Sequence, residues 1–288
     1  MSSIIGIIPA RLASSRLPGK MLLADTGKPL LQYAWEAASR AELLDEVIIA
    51  TDSEEIQKVA ESFGARVERT QSHPTGGDRV AEVVRRCGRD AELIVNLQGD
   101  EPELPPATID RLISALRSRP EIPMATLATP ILDNATLLDR SCVKVVRASD
   151  GRALYFSRLP VPSYRDGEPQ EFFPDPMADP AASTSDESPD TLDGSEGSSR
   201  LLSAAQGVES PWLLHLGIYA YRPEFLLAIT QMPQSRLEKL ESLEQLRVLE
   251  AGASILVEIV KHRSVGIDTS EDYARFVERQ RKLTGRVG

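Results

Sequence analysis

Three cations lie close together near the start of the chain, at Arg11, Arg16 and Lys20. They follow a short β-branched run that ends at Pro9 and Ala10, which is typical of a buried parallel strand opening into a loop. Ligands of open α/β sheets bind at the carboxyl ends of such strands, and arginine and lysine side chains suit phosphate groups. Composition alone leaves two interpretations open, a triphosphate-binding loop and an ordinary solvated basic loop. The stretch lacks the glycine spacing of a P-loop or a dinucleotide turn.

Short apolar segments alternate with helix-forming segments over the first 120 residues. The predicted strands are residues 4–8, 46–51, 66–69 and 93–97, and the predicted helices are residues 30–41, 54–63, 80–86 and 106–119. This alternation indicates a three-layer α/β/α fold around a mostly parallel sheet, with the loops after Ile8, Thr51 and Leu97 along one edge.

The second half of the chain has a different pattern, because strand-like segments follow one another from residue 124 onward. The predicted strands there are residues 125–129, 143–146, 153–156, 213–221 and 255–260, and the predicted helices are residues 242–249 and 270–283. Leu240, Leu243, Leu246 and Leu249 are expected to form one apolar side of the first of these helices. We therefore expect a mixed second half of the sheet.

Composition places the chain among ordinary globular proteins. It has 288 residues, 41% hydrophobic and 26% charged, and we expect a single domain over residues 1–288. Eleven acidic residues and one arginine between residues 166 and 209 account for the net charge of −10, so the rest of the chain is neutral. This balance argues against a general nucleic-acid binder, which needs a basic face.

Residues 166–207 stand apart because they are rich in Pro, Ser, Asp and Gly and poor in aliphatic side chains. Such a segment cannot bury enough apolar surface to offset its ordering entropy, so we predict a disordered surface insertion rather than a small domain. No apolar run approaches the roughly 18 residues of a membrane helix, and the first residues lack a signal-peptide pattern, which favours a cytoplasmic protein without membrane contact. Cys87 and Cys142 are expected to be small packed residues.

Several motifs together resemble one family. They are Pro9-Ala10-Arg11, Leu17-Pro18-Gly19-Lys20, Ala50-Thr51-Asp52, Asn96-Leu97-Gln98-Gly99-Asp100-Glu101-Pro102, Val143-Lys144-Val145-Val146, Ala153-Leu154-Tyr155-Phe156-Ser157-Arg158, His215-Leu216-Gly217-Ile218-Tyr219, Leu243-Glu244-Gln245-Leu246-Arg247 and Gly266-Ile267-Asp268-Thr269. In this order they closely resemble the 3-deoxy-D-manno-octulosonate cytidylyltransferases, or CMP-Kdo synthetases. The resemblance covers both halves of the chain apart from the acidic insertion.

The resemblance implies a nucleotide-diphospho-sugar-transferase-like (Rossmann-like) fold and a specific reaction. The family makes CMP-Kdo and pyrophosphate from CTP and Kdo with Mg²⁺, in the cytoplasm of Gram-negative bacteria and as a step in lipopolysaccharide synthesis, and it is usually a homodimer. Two alternatives stay open. One is a cytidylyltransferase for another acid sugar, such as sialic acid or an amino analogue of Kdo, and the other is a catalytically silent nucleotide-binding or scaffold protein.

The resemblance also implies roles for individual residues. The expected nucleotide-binding residues are Pro9, Ala10, Arg11, Arg16, Lys20, Gly76 and Arg79; the catalytic residues are Arg11, Arg16, Lys20 and Asp100; the metal ligands are Asp100 and Asp268; and the sugar-binding residues are Gln98, Arg158, His215, Tyr219, Glu244 and Gln245. Without the resemblance, Asp100 would be interpreted as a turn residue, Asp268 as a helix cap and His215 as a packed core histidine. A structural salt bridge is an equal alternative for Arg158.

One implied motif departs from the pattern of the family. The loop His73-Pro74-Thr75-Gly76-Gly77-Asp78-Arg79 has Thr, Gly and Asp where the pattern His-x-Ser-Gly-Thr-Glu-Arg has Ser, Thr and Glu. This places base contacts through those side chains in doubt, whereas main-chain contacts at Gly76 would survive.

Overall fold

Nine strands of the described residues build a central sheet. The computed structural model describes residues 3–14, 16–165, 167, 173, 210–261 and 266–284. Within these residues the strands are β1 (Ile4–Ala10), β2 (Glu46–Thr51), β3 (Arg66–Arg69), β4 (Leu93–Asn96), β5 (Met124–Pro130), β6 (Lys144–Arg147), β7 (Ala153–Ser157), β8 (Leu213–Tyr221) and β9 (Ile255–Ile259). The insertion predicted at residues 166–207 lies outside the described residues except at positions 167 and 173.

The sheet has the order β3-β2-β1-β4-β8-β5-β9; β6 joins it by pairing with β8, and β7 joins it by pairing with β6. Strands β1 to β4 pair in parallel, whereas β8 lies antiparallel to both β4 and β5, and β9 is parallel to β5. The expected parallel first half and mixed second half are confirmed. Since β1, β2 and β4 run in one direction, their carboxyl ends meet at one edge of the sheet.

Helices cover both faces of this sheet. They are α1 (Leu30–Ala38), α2 (Glu54–Ser62), α3 (Gly76–Val83), α4 (Pro106–Arg117), α5 (Asn134–Leu138), α6 (Pro223–Ile229), α7 (Arg236–Glu241), α8 (Gln245–Glu250) and α9 (Ser270–Thr284). Side chains of α1, α2 and α4 pack with Ile4 and Ile8, and those of α3, α6 and α8 pack with Ile5 and Ile7. Because alternate residues of a strand face opposite sides, these are the two cores of a three-layer α/β/α fold.

Helix α3 begins at Gly76, four residues earlier than predicted. The Thr75 hydroxyl accepts a hydrogen bond from the main-chain N–H of Asp78 at 3.1 Å and so caps the helix. Residues 71–79 have a loop-like composition, but the capping residue decides where this helix starts. The early start brings Gly76 and Gly77 to the carboxyl edge of the sheet.

The predicted helix 242–249 was wrong in its first turn. Ser242 has φ 52°, a left-handed conformation that ends α7, and α8 starts only at Gln245. Leu240 therefore belongs to the preceding helix and is 72% exposed, so it does not share an apolar side with Leu246. Cys87 is exposed, which contradicts its predicted packing, while Cys142 is half-buried.

Candidate active site

The loop after β1 and the loop after β4 meet at the carboxyl edge of the sheet. The first turns at Gly19, whose φ of 64° favours glycine, and enters a short 3₁₀ turn at Lys20–Leu22. The second passes Gly99, where an added Cβ would lie 3.1 Å from Met21 Sδ and 3.2 Å from Ile8 Cγ2. A glycine there lets the two loops approach closely, and Asp100 follows it directly.

Lys20 is the centre of the charged cluster that results. Its Nζ lies 2.5 Å from Asp100 Oδ2 and 2.9 Å from Asp268 Oδ1, and it also donates to the Ile267 carbonyl at 3.2 Å. Burial lowers the pKa of Lys20, but the two carboxylates outweigh burial, so the pKa lies above its usual value. The ammonium is therefore charged at neutral pH.

Asp268 comes from the far end of the chain and reaches Asp100 through the main chain. The N–H of Ile267 donates to the Asp100 carbonyl at 2.9 Å, which places the two segments side by side. Arg16 Nη2 lies 2.9 Å from the second oxygen of Asp268, Oδ2. Two cations and two carboxylates thus form one cluster, and the structure brings together four residues that sequence analysis assigned to phosphate and metal.

A cavity of about 410 Å³ adjoins this cluster, and we call it the cation cavity. All seven residues predicted to bind the nucleotide line it. Its lining includes Pro9, Ala10, Arg11, Arg16, Lys20, Gly76 and Arg79, together with Gln98, Asp100, Glu244 and Asp268.

Arg79 lies in the wall of the cation cavity with its guanidinium already engaged. The residue is buried, and the guanidinium donates to the Thr70 hydroxyl at 2.6 Å and lies 3.1 Å from Asp52 Oδ2. His73, on the same loop, lies 2.6 Å from Glu82 Oε2 through its Nε2. These contacts hold the loop against β2 and α3. At Gly76 the main chain of the loop lines the cation cavity.

Two further cavities adjoin the predicted sugar-binding residues. The inner cavity, of about 310 Å³, is lined by Gln98, Tyr219, Glu244 and Gln245, and it shares Gln98 and Glu244 with the cation cavity. The outer cavity, of about 650 Å³, is lined by His215, Tyr219 and Gln245, and it shares Arg16 and Asp268 with the cation cavity. Gln98 donates through Nε2 to the Gly217 carbonyl at 2.7 Å, which fixes the side chain beside β8.

Glu244 lies against the start of α3, where the chain departs from the family pattern. A Cβ at Gly77 would lie 2.8 Å from Glu244 Oε2, so a larger residue at this position would displace the carboxylate. The crowded surroundings and then the charge of Asp78 raise the pKa of Glu244, although Thr75 donates a hydrogen bond that lowers it. The glycine at position 77 therefore leaves room for the Glu244 carboxylate.

His215 and Tyr219 project from β8 towards the outer cavity. The His215 ring packs edge-on against Phe156, with 5.0 Å between centroids, and its Nε2 shares a 3.0 Å hydrogen bond with the Thr126 hydroxyl. Burial lowers the pKa of His215 to about 3, so the imidazole is neutral near pH 7. Burial and the charge of Glu244 raise the pKa of Tyr219.

Arg158 is the one predicted sugar-binding residue that lines none of these three cavities. Its guanidinium donates to main-chain carbonyls of Arg140 at 3.0 Å, Glu241 at 2.6 Å and Ser242 at 3.3 Å. The Glu241 carboxylate in turn accepts from the main-chain N–H of Arg158 at 3.0 Å. The side chain anchors the turn before Glu244 through main-chain carbonyls, which is a structural role but not the salt bridge given as the alternative.

Sequence reasoning missed Asn96 and Lys144. Asn96, at the end of β4, is 5% exposed, and its Oδ1 has no hydrogen-bond partner where it lines the inner cavity; Gln245 Nε2 is likewise buried and unpartnered. An asparagine ending an apolar strand was the available signal.

Lys144 is fully buried and donates to the carbonyls of Asp139, Cys142 and Arg158 at 2.6 to 3.0 Å. Only the fold identifies that role.

Comparison with known proteins gives a consistent result. Residues 5–259 match the family model described as cytidylyltransferase. The chain is 42% identical to the 3-deoxy-manno-octulosonate cytidylyltransferase of Geobacter sulfurreducens, over 96% of this chain and 99% of that protein. It is 41% identical to the protein of the same name from Syntrophotalea carbinolica, over 98% of this chain and all of that protein.

Solved structures agree with these sequence relatives. A CMP:2-keto-3-deoxy-manno-octonic acid synthetase complexed with CTP superposes with a TM-score of 0.79 at 33% identity, over 98% of this chain and all of that chain. The 4-diphosphocytidyl-2C-methyl-D-erythritol synthase of Anaerococcus prevotii superposes with a TM-score of 0.57 at 15% identity, over 97% of this chain and 99% of that chain, which shows a shared fold. Over the ranges described, no helix has the length and apolar character needed to cross a bilayer.

Proposed function

This chain belongs to the cytidylyltransferase family, and we propose that it transfers the cytidylyl group of CTP to the anomeric hydroxyl of Kdo. The reaction releases pyrophosphate and forms CMP-Kdo, the activated sugar for lipopolysaccharide core synthesis. The observation that carries the proposal is the cluster of Lys20, Arg16, Asp100 and Asp268 in the cation cavity, beside the residues expected to bind the sugar. Full-length identity of about 40% to relatives of that name supports the same substrate.

Charge stabilisation and alignment would be the main contributions of the protein. In the proposed reaction the anomeric oxygen forms a bond to the α-phosphorus while the bond to the pyrophosphate oxygen breaks, so negative charge builds on the leaving group. Arg11, Arg16 and Lys20 line the cavity that would hold the triphosphate and would stabilise that charge. Gln98 and Glu244, which line both this cavity and the inner one, would orient the sugar for attack.

Asp100 and Asp268 would hold magnesium. The fit is supported by the Lys20 ammonium, which lies 2.5 Å and 2.9 Å from one oxygen of each, so a cation is already accommodated between them. Across the described residues no group of three or more His, Cys, Asp or Glu side chains could hold a metal ion. A pair of carboxylates completed by phosphate oxygens and water suits Mg²⁺. When bound, the ion supplies electrostatic stabilisation of the phosphate oxygens.

A pyrophosphate-release assay with CTP and Mg²⁺ tests the proposal across a panel of acid sugars. We expect turnover with Kdo and little or none with sialic acid or an amino analogue of Kdo. Turnover of another acid sugar with silence on Kdo would overturn the substrate, and silence with every sugar in a folded, CTP-binding protein would favour a silent nucleotide-binding protein.

The family resemblance also supports a homodimer in the cytoplasm. Light scattering after gel filtration should give twice the 31.5 kDa mass of one chain, and cell fractionation should recover the protein with cytoplasmic markers. A mass equal to one chain at micromolar concentration would contradict the dimer.

A further inference from the structure

The Lys20 ammonium has no hydrogen-bond donor to spare. An ammonium carries three N–H groups, and three protein oxygens surround this one, Asp100 Oδ2 at 2.5 Å, Asp268 Oδ1 at 2.9 Å and the Ile267 carbonyl at 3.2 Å. The Lys20 side chain is only 11% exposed, so water competes little for these contacts. Lys20 can bind a phosphate only if it gives up at least one of them.

Lys20 and a divalent cation compete for the position between the same two carboxylate oxygens. Mg²⁺ binds carboxylate oxygens at about 2.0–2.1 Å, whereas the ammonium nitrogen already lies 2.5 Å and 2.9 Å from Asp100 Oδ2 and Asp268 Oδ1. Two positive centres on the same oxygens would repel each other strongly in a partly buried site. Arg16 occupies the remaining oxygen of Asp268, Oδ2, at 2.9 Å.

Charge balance leads to the same conclusion. The cluster contains two cations, Arg16 and Lys20, and two carboxylates, Asp100 and Asp268, so it is neutral without a ligand. A divalent cation that arrived alone would leave the cluster with two excess positive charges. A triphosphate that arrived with the cation would supply negative charge and new partners for both side chains.

We propose that Lys20 is a placeholder cation, which occupies the metal position between Asp100 and Asp268 until the triphosphate draws its ammonium away. Divalent metal then binds tightly only together with the nucleotide. The inference rests on the proposed function, which supplies the triphosphate and the metal, and it adds a second role for Lys20 besides stabilising phosphate charge.

Mn²⁺ binding tests the placeholder role of Lys20 without any turnover. The loss of the electron paramagnetic resonance signal of free Mn²⁺ measures that binding. Mn²⁺ accepts the same oxygen ligands as Mg²⁺. Wild-type protein without nucleotide should bind Mn²⁺ weakly, and Lys20→Met, which keeps the length of the side chain and removes its charge, should bind it at least tenfold more tightly. Adding Asp268→Asn to Lys20→Met should abolish the gain.

Lys28→Met is the matched control, because Lys28 pairs with Glu36 at 2.9 Å, away from the cluster. It should leave Mn²⁺ affinity unchanged. If Lys20→Met does not fold, Lys20→Gln makes the same measurement with a polar side chain, and Arg16→Met, which frees only Asp268 Oδ2, should give a smaller gain.

The outcomes separate this inference from the proposed function. Equal or weaker Mn²⁺ binding by folded Lys20→Met or Lys20→Gln would overturn the placeholder role, while metal-dependent turnover of CTP and Kdo by the wild type would leave the proposed function intact. Tight Mn²⁺ binding by the wild type without nucleotide would also overturn it. Metal-independent turnover would instead remove magnesium from the proposed function.

Discussion

The cations that line the phosphate side have different partners from the cations that anchor the chain behind the sugar side. On the phosphate side, Lys20 and Arg16 pair with carboxylates from the loop after β4 and from the segment before α9. Behind the sugar side, Lys144 and Arg158, which line none of the three cavities, donate to main-chain carbonyls. Arg247, which lines the inner cavity, pairs with Glu238 instead. An incoming polyanion can exchange with a carboxylate partner, whereas a cation bound to main-chain carbonyls holds segments in place.

The polar groups that line the inner cavity, on the sugar side, are carboxylates and amides. Asp78 and Glu244 line the inner cavity, and in the described part of the chain no ion pair engages either of them. Asn96 Oδ1 and Gln245 Nε2 are buried there without hydrogen-bond partners. This side is suited to the hydroxyl groups of a sugar, which both donate and accept hydrogen bonds. The phosphate side exchanges charges, and the sugar side offers fixed hydrogen-bonding groups.

The largest expected effect comes from a substitution on the phosphate side. Asp100→Asn keeps the shape of the side chain but removes its charge, and it should lower kcat by about 10³-fold, since a metal contributes several kcal/mol to the transition state. CTP binding should weaken much less, because the cations remain. Steady-state kinetics and CTP titration measure the two effects.

Glu103→Gln is the control for Asp100→Asn, because Glu103 lies three residues away and pairs with Arg279 at 2.6 Å. Its kcat should stay within about twofold of the wild-type value, because ion pairs near the surface contribute little free energy. Activity like that of the wild type in Asp100→Asn would remove the metal role assigned to this residue.

A second effect tests, through pH, whether the imidazole of His215 on the sugar side is neutral. The folded protein keeps His215 neutral down to about pH 3, whereas an unfolded chain protonates it near its ordinary pKa of about 6.5. The unfolded state therefore binds more protons in this window, and stability is lost as the pH falls from about 6.5 towards 3. Between pH 7.5 and pH 5 the loss from this residue should be about 1–2 kcal/mol.

His215→Gln should remove that part of the pH dependence. Urea unfolding of both proteins at pH 7.5 and pH 5 gives the difference in the free energy of unfolding, which should shift in favour of the variant at the lower pH. A difference that is constant across the two pH values would contradict a neutral, buried imidazole.

A third effect asks whether Arg158 holds the sugar side or contacts the sugar. Arg158→Lys replaces three guanidinium nitrogens, each of which donates to a different carbonyl, by a single nitrogen that does not reach all three positions. It should raise KM for Kdo about tenfold, the equivalent of one charged hydrogen bond. KM for CTP should not change. Arg152→Lys, at an exposed arginine that pairs with Asp150 at 2.6 Å, is the control and should leave both constants unchanged.

Glu241→Gln separates the two roles of Arg158. Glu241 accepts hydrogen bonds from the Ser157 hydroxyl at 2.8 Å and from the Arg158 main chain at 3.0 Å, and it lines none of the three cavities. If Arg158 acts by anchoring the turn before Glu244, this change raises KM for Kdo as well. An unchanged KM in Glu241→Gln beside a raised KM in Arg158→Lys would indicate direct contact with the sugar.

The two sides also differed in how far the sequence predicted them. The apolar runs that form β2 and β8 had clear ends, and the parallel pairing of β1 with β4 follows from their alternation with helices, so the edge that carries Lys20 and Asp100 was predictable. The left-handed Ser242 was not, because main-chain carbonyls bound by Arg158 hold that turn. The approach of Asp268 to Asp100 came only from resemblance, since 168 residues separate them in sequence.

The smallest expected effect concerns Asn96 in the inner cavity, where one change should increase stability and weaken Kdo binding. Asn96→Leu replaces an amide whose Oδ1 is buried without a partner by an apolar side chain of similar size. It should raise the free energy of unfolding by about 1 kcal/mol, because an unsatisfied polar atom no longer has to be buried. It should also raise KM for Kdo, because the acceptor is lost.

The contrasting variant is Thr126→Val on β5. The Thr126 hydroxyl is hydrogen-bonded to the Ile218 carbonyl at 2.8 Å and to His215. That change should lower the free energy of unfolding by about 1 kcal/mol. Urea unfolding measures both, and a destabilised Asn96→Leu would mean that the amide is satisfied in the folded protein without substrate.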